Sequence, residues 1–504
     1  MLKKVVATIC VLAMVATMLV GCASKENGET KDDVETDVTT DTPSTDTDAD
    51  TEAEATVQPE VDPHTIAGKV TIAVPKGELA QITPVLEAFQ TAYPDIELTI
   101  EPFEGSSGEW LTAQAANNSL PDVLWGDWNN FPYAVANGYV RPLDDLLAQD
   151  DETQYLPQSL LDPYVYGGKT YSVPDQIHAM MVAVNTDLLV ELNLNKPSYD
   201  WTYDEFEGLL KDATTETTAG ACELYSVDDV YSAQEDGFWS TAYNYSEQKF
   251  YYADKWVPAM NKLSALRAVP GLELRALKLT NIIDENNNDY VKKFGEAGKD
   301  DGAYGFKNGF ALMKTSASWE ANWMRMEVKP TWEYWPYPRT DANSELKIPI
   351  HVNNTYMMST CKDVDAAYQV LKWVSFGKEG NLVKMDIYGK RSPEETIDGV
   401  AYFLWYFPVT RHPDVVAKFE SNPYVTEGLK VIYANIENNF RCDLNKIIPG
   451  YDLIFNEEVN TMLNGVKYDG TQEAAAVATQ VDEKVNAELA NQLEVFNQKL
   501  TTLK

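Results

Sequence analysis

Strand and helix patterns alternate at the head of the folded part of this chain, which predicts an α/β protein with parallel strands. Three stretches carry that expectation. "KVTIAVP" (69–75) alternates and is rich in Val and Ile, as a strand is. "ELAQITPVLEAFQTAY" (78–93) sets Leu79, Ile82, Val85, Leu86 and Phe89 at helical spacing, and "IELTIEPF" (96–103) returns to a strand. The chain has 504 residues, more than one hydrophobic core holds, so two large lobes and a tail are expected.

The tail comes first. Lys3 and Lys4 precede an apolar run from Val5 to Val20, followed by Gly21-Cys22. A charged start, an apolar run and a small residue before the cut make a secretory signal. At about 16 residues the run falls short of the roughly 20 that span a bilayer. The "LVGC" stretch resembles the bacterial lipoprotein box, which makes residues 1–22 a signal peptide and Cys22 the lipidated first residue. Residues 23–66 read as an acidic, Thr-rich tether. Positions 25–66 hold fourteen Asp or Glu against two Lys and no apolar period, so they cannot bury enough surface to order themselves. Anchor and tether together place the body outside a cell membrane, held by lipid. The formal charge is −38 and the pI about 4.4, which repels phosphate backbones and excludes nucleic acid as a partner. Cys222, Cys361 and Cys442 are odd in number and widely spaced, so no disulfide framework is expected: either three buried thiols or one bridge.

Along the body, Pro94 stops the first helix and a second follows around Trp110–Asn117. "PDVLWGD" then supplies a short apolar strand between Pro121 and Gly126, expected to be central and buried. In an open α/β sheet ligands bind beyond the carboxyl ends of the strands. Lys76, Gly77 and Glu78 follow the first strand; Gly126, Asp127, Trp128 and Asn129 follow the third.

The order of these signals resembles the extracellular solute-binding proteins of ABC importers, in particular the maltose-binding-protein-like carbohydrate branch (family 1). The likeness runs over about 69–500. "SLPDVLWGDWNNFPYAVANGYVRPLDDLL" is similar to that family's "PDV" strand and the segment after it. "GGKTYSVPDQIHAMMVAVNTDLL" (167–189) is similar to its crossover, although "MMVAVN" lacks the aromatic that usually precedes the Asn. "PSYDWTYDEFEGLLKDA" (197–213) resembles its "P-x-T-W-D-E" helix entry, with Asp200 or Thr202 as N-cap. "FKNGFALMKTSASWEANW" (306–323) resembles its strand ending in "G-x-W"; "AAYQVLKWVSFGKEG" (366–380) its late helix; "IIPGY" (447–451) a late loop. The resemblance implies a two-lobed periplasmic-binding-protein-like (type II) fold with a hinge and a ligand cleft. The first lobe would take 67–177 and 345–380, the second 178–344 and 381–504.

A sugar site needs aromatic plates for C–H faces and carboxylates or amides for hydroxyl pairs. The first-lobe candidates are Lys76, Glu78, Trp125, Asp127, Trp128 and Asn129; the hinge candidates are Asp175, Gln176 and His178. The second lobe offers Trp239, Trp319, Glu320, Trp335 and Tyr451, and Trp319 falls where the resemblance puts a stacking Trp. Several have plainer roles open to them. Trp125 is core or cleft, Asp127 a turn residue or a ligand contact, Trp128 a plate or packing under the next helix, and His178 a hinge residue or a contact. "PTWEYWPYP" (330–338) reads as a lobe crossing. Only four His occur, without metal spacing, and no nucleophile elbow, phosphate loop or dinucleotide fingerprint is present, so neither metal nor cofactor is expected. "DENNND" (284–289) is similar to a calcium loop but lacks its Gly and its final Glu, and reads as a solvated loop. The function expected is a non-enzymatic binding lipoprotein that hands a sugar or oligosaccharide to importer permease subunits. The alternatives are a surface glycoside hydrolase, which needs two carboxylates across the cleft, or a binder of a non-sugar solute on the same fold.

Overall fold

The computed structural model describes residues 62–127, 131–224, 226–274, 303–389, 406–468 and 472–503, and the backbone of the strand pair Thr396–Ile397 and Val400–Ala401. The expected signal peptide, the lipidation site Cys22, nearly all of the tether, Trp128, Asn129 and the 284–289 loop lie outside these residues. The ordered body reaches back into the expected tether: Pro63–Thr65 form a helical turn, and the His64 ring stacks on Tyr93 at 4.6 Å.

Nine strands make the main sheet: β1 (Gly68–Pro75), β2 (Ile96–Phe103), β3 (Val123–Asp127), β4 (Val173–Asn185), β5 (Ala219–Ala221), β6 (Ala311–Ala317), β7 (Trp332–Trp335), β8 (Ile348–Met357) and β9 (Asn439–Arg441). Their order is β2-β1-β3-β8-β4-β6-β5, with β7 alongside β4 and β9 alongside β8. The expected opening strands, helix Leu79–Ala92 and helix Ser107–Ala116 are all present, and β3 is buried at every position. β1 pairs parallel to β2 and to β3, and β5 parallel to β6. The sheet as a whole is mixed, because β8 and β4 join these two parallel groups through antiparallel pairings.

β4 is buried at all thirteen positions. Ile177, Ala179, Met181 and Ala183 enter one core while Met180, Val182 and Val184 enter another. Both sheet faces are therefore covered, which is why the second half of the strand, 179–184, is apolar at every position rather than alternating. Helix Val364–Val374 covers the first core with Tyr368, Leu371 and Trp373. The 29-residue helix Ala474–Thr502 covers the second with Val477, Val481, Val485 and Leu489, four residues apart on one stripe. Helix Lys378–Gly389 reaches helix Leu79–Ala92, with the Tyr388 hydroxyl donating to the Gln81 carbonyl at 3.0 Å, so residues beyond 380 pack on the first half of the chain.

Thr202 caps helix Tyr203–Asp212 in a reciprocal box: its Oγ1 accepts from the Glu205 N–H, and the Glu205 carboxylate accepts from the Thr202 N–H at 2.7 Å. Asp200 instead pairs with Arg339. Thr202→Ala is expected to cost about 1 kcal/mol of unfolding free energy, read by urea denaturation, with Asp200→Ala costing less. "PTWEYWPYP" is not a lobe crossing: β7 pairs only along the second half of β4, Trp332 opposite Asn185 and Trp335 opposite Val182. Cys222 and Cys361 are buried, Cys442 is half-buried, and all three are free thiols.

Candidate functional site

Strand direction fixes where the site lies. β4 runs with β1 and β3 and against β6, so the carboxyl ends of β1–β3 and those of β5 and β6 converge on the middle of β4 from opposite sides. There β4 changes partners. Val173 through Ala179 face β8, whereas Met180 through Val184 face β6. Ile177 also accepts the Phe407 N–H at 2.8 Å, so three stretches of chain cross side by side.

The candidates Asp175, Gln176 and His178 sit in this crossing. Asp175 Oδ2 accepts from the Gly126 N–H at 3.0 Å and from Thr355 Oγ1 at 2.6 Å, while its Oδ1 is buried without a partner. Gly126 has φ +71°, a left-handed conformation open to glycine, and it turns the end of β3 toward this carboxylate. Gln176 Oε1 accepts from Asn353 Nδ2 at 2.8 Å. Asp127 is also buried; its two oxygens accept from Ser107 Oγ and Tyr356 OH, each at 2.8 Å, so its side chain braces the first half of the sheet.

Glu78, at the foot of helix Leu79–Ala92, has one carboxylate oxygen buried without a partner. Burial, reinforced by the charge of Asp175, pushes its carboxyl up to about 7. Burial also pushes Asp175 up to about 6 and the Lys384 ammonium down to about 8. A carboxyl raised in the folded state contributes stability that is fully present below its unfolded value near 4.5 and is lost as pH rises through 7. Glutamine keeps the neutral shape at every pH. Glu78→Gln is therefore expected to stabilise the fold by about 2 kcal/mol near pH 8 and to change little near pH 4. Urea unfolding at the two pH values checks this; an equal effect at both would refute it.

The other side of the crossing is aromatic. His178 and His351 are directly opposed on β4 and β8. Trp319, two residues past β6, lies edge-on to both rings, with centroids 5.7 Å from His178 and 5.0 Å from His351. His178 Nδ1 is 3.2 Å from Ser318 Oγ. Burial pushes His351 down to about 4, so it stays uncharged at neutral pH. Trp319 itself is 46% exposed and is the one exposed tryptophan among the described residues. Two fixed rings hold its edge while the indole remains open to solvent.

A buried ion cluster locks β9 to the same place. Asp443 accepts from Arg441 Nε at 2.7 Å, from Arg441 Nη2 at 3.0 Å and from the Val352 N–H at 2.7 Å. Lys446 lies 3.2 Å from Asp443 and donates to Asn353 Oδ1 and the Val352 carbonyl.

The remaining candidates fall elsewhere. Trp125 is core, 2% exposed. Lys76 is exposed and paired with Glu104, beyond β2. Glu320 is held by Lys314 at 2.8 Å and Ser316 Oγ at 2.6 Å, neutralising a buried lysine that also pairs with Glu223. Trp335 is fully buried, its ring tilted against Tyr199 at 5.0 Å, with its indole N–H on the Pro197 carbonyl. Tyr451 packs on Phe455 at 4.5 Å. Trp239 stacks on Tyr245 in a separate groove. His351, Asn353, Lys384 and Lys446 escaped the sequence reading. The polar "HVNN" inside the otherwise apolar β8 was the signal available for the first two. Among the described residues, no three His, Cys, Asp or Glu side chains gather as a metal would require, and no helix is long and apolar enough to cross a membrane.

This geometry, with two parallel strand groups facing each other across shared crossing strands, is the two-lobed α/β fold of solute-binding proteins. The family model described as bacterial extracellular solute-binding protein matches residues 85–394, and the chain belongs to that family. Solved structures agree on the fold. The sugar-binding protein MalE of Xanthomonas citri superposes with a TM-score of 0.63 at 14% identity, covering 86% of this chain and 100% of its own. An ABC substrate-binding protein of Listeria monocytogenes, solved with cycloalternan, gives 0.60 at 14% identity, covering 84% and 99%. The GacH receptor of Streptomyces glaucescens, solved unliganded and with acarbose, gives 0.58 at 18% identity, covering 84% and 99%.

Proposed function

We propose that this chain is the substrate-binding lipoprotein of an ABC importer, lipid-anchored through Cys22 on the outer face of the membrane. It captures a carbohydrate of the oligosaccharide class between its lobes and passes it to the permease subunits. The observation that carries the reading is Trp319: an exposed indole held edge-on by His178 and His351 at the crossing, beside carboxylates with unused acceptor positions. An open indole face stacks on the C–H face of a pyranose, and Glu78, Asp175 and Gln176 take its hydroxyls. The sugars bound by the structural relatives point the same way. The first lobe is built on β1–β3 and the second on β5–β7, with 176–179, 350–353 and 406–407 as the hinge. Ligand contacts to both lobes favour the closed arrangement. No bond chemistry is involved.

Thermal unfolding of the 62–504 body against mono- and oligosaccharides, amino acids and polyamines tests the proposal. A ligand present at a hundredfold its dissociation constant stabilises the folded form by about 2.7 kcal/mol. A shift with one glycan class, with no new reducing ends released, supports the reading. A shift only with an amino acid or polyamine, or turnover of a glycan, overturns it.

A further inference from the structure

Trp239 does not join the crossing. It lies in a second groove, framed by the strand pair Val165–Tyr166 and Lys169–Thr170, by the strands Phe238–Trp239 and Tyr243–Asn244, and by the far end of helix Ala474–Thr502. The groove holds a cavity of about 150 Å³, open on one side.

Three features separate it from a solvent-filled crease. The first is a fixed aromatic plate: Trp239 and Tyr245 stack at 4.0 Å and 15°, and the Tyr245 hydroxyl is tied to the Asp162 carbonyl at 2.9 Å. Tyr166 is tied likewise to the Ile447 carbonyl. The second is a hydroxyl that opens into the groove. Tyr243 lines the groove and is 3% exposed, yet its hydroxyl makes no hydrogen bond to any described residue. That oxygen is bound to no described protein group, so a hydroxyl arriving in the groove can pair with it without breaking a protein hydrogen bond. The third is charge. Among the described residues no Asp, Glu, Lys, Arg or His lines the groove, and its side-chain amides are those of Gln248 and Asn497. A lining of aromatic and aliphatic side chains, tyrosine hydroxyls and two amides suits a neutral ring that carries hydroxyls, and offers no charge to a phosphate, an amino acid or a polyamine.

We propose that this groove is a second carbohydrate site, separate from the one at Trp319. It takes a neutral sugar ring stacked on the Trp239–Tyr245 plate, with a ring hydroxyl on Tyr243. A chain that holds a glycan at two places keeps an oligosaccharide near its cleft during capture.

The test uses two-dimensional spectra of the ¹⁵N-labelled body, titrated with maltotriose and cellotriose. The Trp239 and Trp319 indole N–H signals are assigned by their loss in Trp239→Phe and Trp319→Ala. The expected result is a saturable shift of the Trp239 signal with at least one probe, persisting in Trp319→Ala. Tyr243→Phe is expected to weaken that curve about fivefold, the equivalent of one net hydrogen bond, and to leave the Trp319 curve unchanged. A Trp239 signal that stays fixed with both probes overturns the proposal. So does one that moves only in step with Trp319 and stops moving in Trp319→Ala, and so does a Tyr243→Phe curve identical to the parent.

Discussion

Trp319→Ala is expected to weaken carbohydrate binding by at least about thirtyfold, roughly 2 kcal/mol, while leaving the unfolding midpoint of the ligand-free protein almost unchanged. The two halves of this expectation rest on one fact. The indole is 46% exposed, so its removal opens no cavity in the core. Its edge rests on His178 and His351, so the plate is already oriented before ligand arrives and binding spends little entropy ordering it. Calorimetric titration with the glycan found in the thermal screen, together with urea unfolding of the free variant, checks both parts. Unchanged affinity would remove Trp319 from the site. A large fall in stability would make it a packing residue.

Asp443→Ala is expected to be the most destabilising single change, at about 3–5 kcal/mol, because it strands Arg441 and Lys446 as buried cations without a counter-charge. Burial alone would push the Asp443 carboxyl up, but the charges of Arg441 and Lys446 hold it well below the usual carboxylate range. The sign follows. A depressed carboxyl contributes stability that is present above its unfolded value near 3.8 and is lost as pH falls below it. The parent should therefore lose stability steeply under acid, and Asp443→Ala should lose less of what remains. Urea unfolding at neutral and acid pH reads both. Since Asp443 also accepts the Val352 N–H on β8, its loss should loosen the crossing itself. Hydrogen exchange at Val352 measures that directly, and protection equal to the parent's would show that β8 is held without it.

What could be read from the sequence and what could not divide along one physical line. Local spacing decides which face of a helix or strand is apolar, so β1, β2, β3 and helix Leu79–Ala92 followed from their own residues, while the choice between Asp200 and Thr202 as cap was made by the fold. Aromatic and carboxylate residues carry no such local mark. Trp319, Trp335 and Trp239 look alike in sequence, yet one is exposed at the crossing, one is fully buried beneath Tyr199, and one lines a separate groove. Glu320 follows Trp319 directly but is turned away to neutralise Lys314, a demand set by a neighbour on β6. His178 and His351 lie far apart in the chain and meet only because β4 and β8 pair in one register, and a one-residue slip would send them to opposite faces. The sequence by itself determined the opening strands and helices and the α/β class of the fold. Which side chains meet, and which are left facing solvent, was decided by long-range strand pairing and burial, because those depend on partners that no local window contains.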